Sequence, residues 1–249
     1  RTRIRTIRLT AASLHPSGPL LRAICSLGVS PFLNQMAMFL VQITLNNTLT
    51  YYGALSHYGE DIPLACVGVI SKVNILMLGF TLGISQGCQP IFSYNYGARQ
   101  YSRVREAYRK AIVAASIICC IAFVCFQLFP RPIVALFDPS GSEEYFQFAE
   151  RYFRIYMFMT LANAFQPITA NFFTSIGKAK RGALIALTRQ VIFLIPLILI
   201  FPLFLGIDGV MYAGPIADSA AVVVALALVT REMKRMPHVD EPVAADTLV

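Results

Sequence analysis

Between Arg22 and Glu60 the chain carries no Asp, Glu, Lys or Arg. At 1.5 Å rise per residue, a helix over that run is longer than the ~30 Å hydrocarbon core of a bilayer. The rest of the chain repeats the pattern. Charged residues are 14% of the sequence and hydrophobic ones 56%, against roughly 25% charged in a soluble domain. Mean hydropathy is +0.61. The net charge of +8 does not read as a nucleic-acid surface. Its lysines and arginines fall in short runs between apolar spans, which is how membrane topology is encoded.

The reading is an all-α polytopic membrane protein with six transmembrane helices. They are expected near 24–52, 62–88, 110–129, 153–176, 183–205 and 209–230. Pro130 and Pro132 close the third, Pro196 bends the fifth, and Pro215 lies inside the sixth. Residues 1–22 form a basic segment, either an interfacial helix or a linker. Residues 23–235 form the six-helix lobe, and 236–249 a polar tail. Connections before helix one and after helices two, four and six are basic, whereas those after helices one, three and five are neutral or acidic. The positive-inside rule then places both termini in the cytoplasm. The chain begins at Arg1 rather than Met, which reads as a piece of a longer protein.

No nucleophile–base set, catalytic carboxylate pair or phosphate loop is present, so no enzyme is expected. The six cysteines have no regular spacing and read as small apolar fillers; His15, His57 and His238 are too scattered for a zinc site. Gly79, Gly83 and Gly87 form a small-residue ladder for close helix packing, or for a moving contact. Lys72, Arg189 and Asp218 lie deep in spans, where ionisable residues are rare and default to functional hypotheses. On depth, Lys72 is favoured over Arg189 as the partner of Asp218. Such a pair reads as fixing helix packing, with a proton- or sodium-linked carboxylate as the alternative. Gln35 and Gln42 share a face, Asn74, Thr81 and Ser85 another, and Asn163, Gln166 and Thr169 a third. Amides facing lipid are costly, so these faces should meet other helices or a wet cavity. As cavity walls, Gln35, Gln42, Asn74, Asn163 and Gln166 would bind amphipathic substrates.

The chain is organised around the exit from helix two, Gly79 to Lys110. Apolar residues give way to Gly87, Gln89 and Pro90, then to Tyr94, Asn95, Tyr96, Gly97 and Ala98, and finally to a basic run from Arg99 to Lys110. Pro90 breaks helical register and marks the membrane surface. The Gln89–Pro90…Asn95–Tyr96–Gly97–Ala98 pattern before a basic loop resembles the multidrug and toxic compound extrusion family. Supporting similarities are Gly28, Ser30, Pro31 and Gln35 in helix one, Asn163, Gln166 and Gly177 in helix four, and Arg189, Gln190, Pro196, Pro215 and Asp218 beyond.

The resemblance implies one lobe, the second, of a twelve-helix antiporter. Amphipathic organic cations or drugs would leave while sodium ions or protons enter, with no cofactor beyond the coupling ion. The first lobe would be a missing partner, and the setting a bacterial plasma membrane. Some members carry acidic coupling residues in the helices that resemble helices one and four here. In this chain those helices have amides instead, which points to coupling from the other lobe. Rival readings are a flippase of related fold moving lipid-linked sugars, and a membrane partner without transport.

Overall fold

The computed structural model describes residues 17–139 and 141–237. The expected basic segment up to residue 16 and the tail from residue 238 lie outside the described residues, as do the side chains of Ser30 and Pro31.

Nine α-helices among the described residues make six rods and one short connecting helix, α4: α1 (Gly18–Ala54), α2 (Asp61–Gly97), α3 (Tyr101–Leu128), α4 (Pro130–Phe137), α5 (Glu143–Tyr156), α6 (Ala162–Ser175), α7 (Ala179–Leu187), α8 (Ile195–Leu205) and α9 (Ile207–Arg235). A 3₁₀ turn over Met157–Leu161 joins α5 to α6, and a π-helical stretch over Thr188–Leu194 joins α7 to α8. Four rods are long and apolar enough to cross a membrane: 61–97, 101–128, 179–205 and 207–235. The 3₁₀ turn, with Met159 at φ −91° and ψ 23°, interrupts the expected fourth span.

Several boundaries differ from the sequence expectation, each for a packing reason. Pro90 does not end α2, which continues to Gly97. Proline removes one donor, but the turns beyond it are held by Phe92. Its ring is fully buried and meets Tyr108 and Phe172 at centroid distances of 6.4 and 5.3 Å. The basic run is not a loop either: α3 begins at Tyr101, so most of its arginines ride on a helix. The turn between α2 and α3 is made by Arg99 at φ +55°.

The segment expected as a loop over 131–152 is largely helical. Phe129 and Pro130 start α4, and Ser142 caps α5, its Oγ accepting from the Tyr145 N–H at 3.2 Å. One stripe of α5 buries Tyr145, Phe146, Phe148, Tyr152 and Phe153, while Glu143, Glu144, Arg151 and Arg154 point outward. That is the helical amphipathic pattern; reading the acids alone hides it.

The core is a continuous apolar cluster with the α5–α6 rod at its centre. Fully buried Phe172 and Phe173 of α6 pack at 5.6 Å between ring centroids. Small residues let α9 approach closely: Gly209 lies against the Phe201 backbone and Gly214 against the Tyr156 ring, where a Cβ would have no room. Gly206, at φ +60°, turns α8 back into α9.

The basic segments are brought to one end of the lobe. There Lys178 and Arg181, flanking the start of α7, both bind the Glu232 carboxylate of α9, whose side chain is 2% exposed. Arg105 of α3 donates to the Met236 and Pro237 carbonyls at 2.8 and 2.9 Å. A cation on the last carbonyls of a helix is electrostatically favoured. The acidic connections meet at the other end, where Arg131 binds Glu143 and Arg151 binds Asp208. The Arg131 guanidinium, hydrogen-bonded to Glu143, holds that carboxyl below its ordinary value of 4.5.

Candidate functional site

A pocket of ≈ 140 Å³ opens among α1, α2, the π-helical stretch and α9. Gln42, Asn74, Tyr156, Arg189, Gln190 and Gly214 are on its wall. The π-helix places Arg189 and Gln190 there together. In an α-helix successive side chains diverge by about 100°; the wider π turn narrows that angle, and such turns recur at functional sites. The π turn ends at Leu194, two residues before Pro196, which stands in the first turn of α8.

Arg189 Nε donates to Asp218 Oδ1 at 2.5 Å, and the two side chains are 13% and 12% exposed. This corrects the pairing favoured on depth: Asp218 meets Arg189, not Lys72. Equal depth matters only between neighbours. The α8–α9 hairpin brings α9 against the π-helical stretch, whereas Lys72 is exposed on the α2 face turned away from the lobe. The pair leaves the pocket wall electrically neutral. Of the guanidinium donors, only Nε is engaged among the described residues, so both Nη groups keep their hydrogens for the pocket.

The expected cavity-wall residues divide. Gln42 and Asn74 line the pocket. Gln42 Nε2 donates to Asn46 Oδ1 at 2.9 Å, across one helical turn. Asn163 stands behind Asn74, its Nδ2 donating to Asn74 Oδ1 at 3.3 Å. Gln166 is half-buried elsewhere on α6, and Gln35 is exposed on α1; neither reaches the pocket. The Thr81 and Ser85 face of α2 serves helix packing: Ser85 Oγ donates to the Pro167 carbonyl at 3.2 Å and accepts from Asn171 Nδ2 at 2.7 Å. The family-like motif builds the exit of α2. Asn95 Nδ2 donates to the Ile91 carbonyl at 2.8 Å, and its own carbonyl accepts from the Gln100 N–H at 2.9 Å. Gln89 is half-buried, Pro90 is exposed, and Gly97 is the last helical residue. The glycine ladder does not pack inside the lobe. A Cβ on Gly79, Gly83 or Gly87 would meet nothing within 4 Å.

Three features lay beyond sequence reasoning. Gln190, 7% exposed, was marked only by the family resemblance, beside Arg189, and not as a pocket residue. The seat of Tyr156 against Gly214 depends on which helices meet. Glu232 left a faint trace, as the one acid in the basic run from Arg231 to Arg235.

A helical lobe of membrane-length rods with a small, amide-rich, charge-balanced pocket defines a polytopic helical membrane protein. The MatE family model matches residues 35–200, and the chain belongs to that family. Among its relatives, the multidrug export protein MepA of Staphylococcus aureus (strain bovine RF122 / ET3-1) is 23% identical over 216 residues, covering 86% of this chain and 45% of MepA. MepA of Staphylococcus haemolyticus (strain JCSC1435) is 22% identical over 226 residues, covering 90% of this chain and 47% of that protein. The chain thus spans about half the length of the relatives it matches. An outward-facing structure of a multidrug resistance MATE family transporter superposes with a TM-score of 0.80 at 20% identity, over 94% of this chain and 51% of that one. A transporter from Pyrococcus furiosus, described as having a binding pocket of reverse polarity, superposes at 0.79 and 20% identity, over 92% of this chain and 50% of that one. These likenesses establish the fold.

Proposed function

We propose that this chain forms one six-helix half of a secondary multidrug exporter. It would move amphipathic organic molecules, cations among them, outward in exchange for sodium ions or protons. The observation that carries the reading is the pocket: amides and a neutralised ion pair inside an otherwise apolar membrane lobe of the MatE family. The polar groups bind without a fixed charge demand, and Met38 and Tyr156 supply adaptable and flat apolar surface. A site of this kind suits varied substrates. No covalent step is required, so the protein acts as a transporter and not as an enzyme.

Two lobes tilting about a shared cleft would alternate access between the two sides. In this reading the other half of the cleft, and the carboxylate that couples the driving ion, come from the remaining part of the protein. Asp218 is engaged by Arg189 and holds the pocket together. The basic end, gathered by Glu232 and Arg105, would face the cytoplasm of a bacterial cell, with both termini on that side.

The test is ethidium efflux from cells expressing the complete reading frame, with sodium and pH varied separately. Export above the vector control that collapses with one of the two gradients supports the reading and names the coupling ion. Retention of ethidium and of an anionic dye alike, equal to the control under every gradient, overturns it.

A further inference from the structure

Lys72 is the one charged mid-span side chain without an ionic or hydrogen-bonding partner among the described residues. It lies three turns into α2, about 16 Å from the helix start, too far down for an ordinary snorkel to the headgroups. The α2 face around it is mixed rather than uniformly apolar. Gly68, Gly79, Gly83, Gln86 and Gly87 are exposed there with Lys72, interspersed with exposed Ile75, Leu76 and Phe80. By contrast the outer face of α3 is Val113, Ile117, Ile121, Val124 and Leu128. An ammonium and an amide are costly in hydrocarbon, so the α2 face borders the polar cleft rather than lipid.

On that side of the lobe the charge is one-sided. Among the described residues, α1 has no acid, α2 has none beyond its first residue Asp61, and α6 has none. Arg189 and Asp218 cancel each other. This side of the lobe therefore presents the amides of the pocket and, on the neighbouring α2 face outside the pocket lining, one uncompensated ammonium. In a site of lowered dielectric such a charge repels a cation and draws an anion.

We infer that Lys72 recognises an anionic group, a carboxylate above all, on the transported amphiphile. The preferred substrates of this wall are carboxylate-bearing amphiphiles, zwitterions included, and Lys72 determines that specificity. The inference rests on the export reading and names its substrate class. A simple cation would find no counter-charge on this half.

The experiment compares fluorescein, which carries a carboxylate, with ethidium, a fixed cation. Each dye is followed into everted vesicles containing the full-length transporter at matched protein level. Lys72→Gln is expected to lower the fluorescein-to-ethidium transport ratio on the order of tenfold, the scale of one lost charge-assisted hydrogen bond. Lys72→Glu should lower it further, and Lys72→Arg should keep it near the wild-type value. A ratio unchanged in Lys72→Gln and Lys72→Glu overturns the inference. So does equal loss of both dyes, which would mean that Lys72 pairs with a carboxylate of the other half. Wild-type vesicles that take up ethidium but never fluorescein overturn the inference and leave the export reading standing. Vesicles that take up neither dye under any gradient overturn both.

Discussion

The outward faces of α2 and α3 belong to adjacent helices of similar apolarity, yet they are built for different solvents. On α3 every exposed position from Val113 to Leu128 is apolar or cysteine. On α2 the corresponding surface mixes four glycines, Gln86 and Lys72 with exposed Ile75, Leu76 and Phe80. Mean composition does not separate the two, since both qualify as membrane spans. What separates them is which residues remain once each helix has buried its inner stripe. The α3 remainder suits acyl chains. The α2 remainder suits water, substrate or a closely approaching backbone.

Changing what each environment must accept separates the two faces. The largest effect belongs to neither face. Asp218→Ala strands the Arg189 guanidinium inside the lobe, and should lower stability by about 3–5 kcal/mol, the range for breaking a buried pair. Thermal unfolding in detergent and yield of folded protein read this directly. A charge placed on the α3 face comes next. Ile117→Lys should cost about 2.5–3.5 kcal/mol of membrane insertion, measured by a glycosylation or translocon insertion assay. Lys72→Leu in the same assay should cost nothing. If Ile117→Lys is as well tolerated as the native Lys72, the two faces share a solvent and the distinction fails.

Glycine offers a finer contrast. Gly214→Ala forces a Cβ against the Tyr156 ring, 2.6 Å from Cε2 in the unrelaxed structure, and should destabilise by about 1–3 kcal/mol. Gly83→Ala meets open space and should raise helix stability by up to about 1 kcal/mol. The midpoint of thermal unfolding therefore moves in opposite directions for the same chemical change. The smallest effect lies where charge meets water. Glu143 is held below its ordinary value of 4.5 by Arg131. A depressed carboxyl stabilises the folded state above its unfolded value, and that contribution is lost as pH falls through the folded one. Glu143→Gln should thus lower the unfolding midpoint slightly at neutral pH, and the difference should vanish in acid. A difference that persists there would assign the effect to packing.

How much was legible in advance depends on the reach of each signal. The apolar runs gave α1, α2, α3, α8 and α9 because lipid acts on each helix independently. The Asn95–Gly97 exit was legible as a pattern, although its continuous helix through Pro90 was not, because the anchor of that turn is Phe92 meeting Phe172 far along the chain. The α5 stripe was hidden by its acids. Gln42 and Asn74 were found as pocket residues from spacing. Gln35 shares the face of Gln42 but lies about 10 Å along α1 from it, and Gln166 sits on a part of α6 that does not border the pocket. Depth gave the wrong partner for Asp218, since depth ranks residues along the membrane normal and says nothing about which helices touch.

The linear chain by itself determined the solvent, the helical class and the placement of the basic segments between the spans. Those follow from local transfer energetics, which each stretch of residues settles alone. Tertiary structure decided that Arg189 faces Asp218, that the π turn sets Gln190 beside it, and that Lys72 points away from the lobe. These are relations between helices, fixed by how small residues such as Gly209 and Gly214 let one rod approach another. No single segment carries that information.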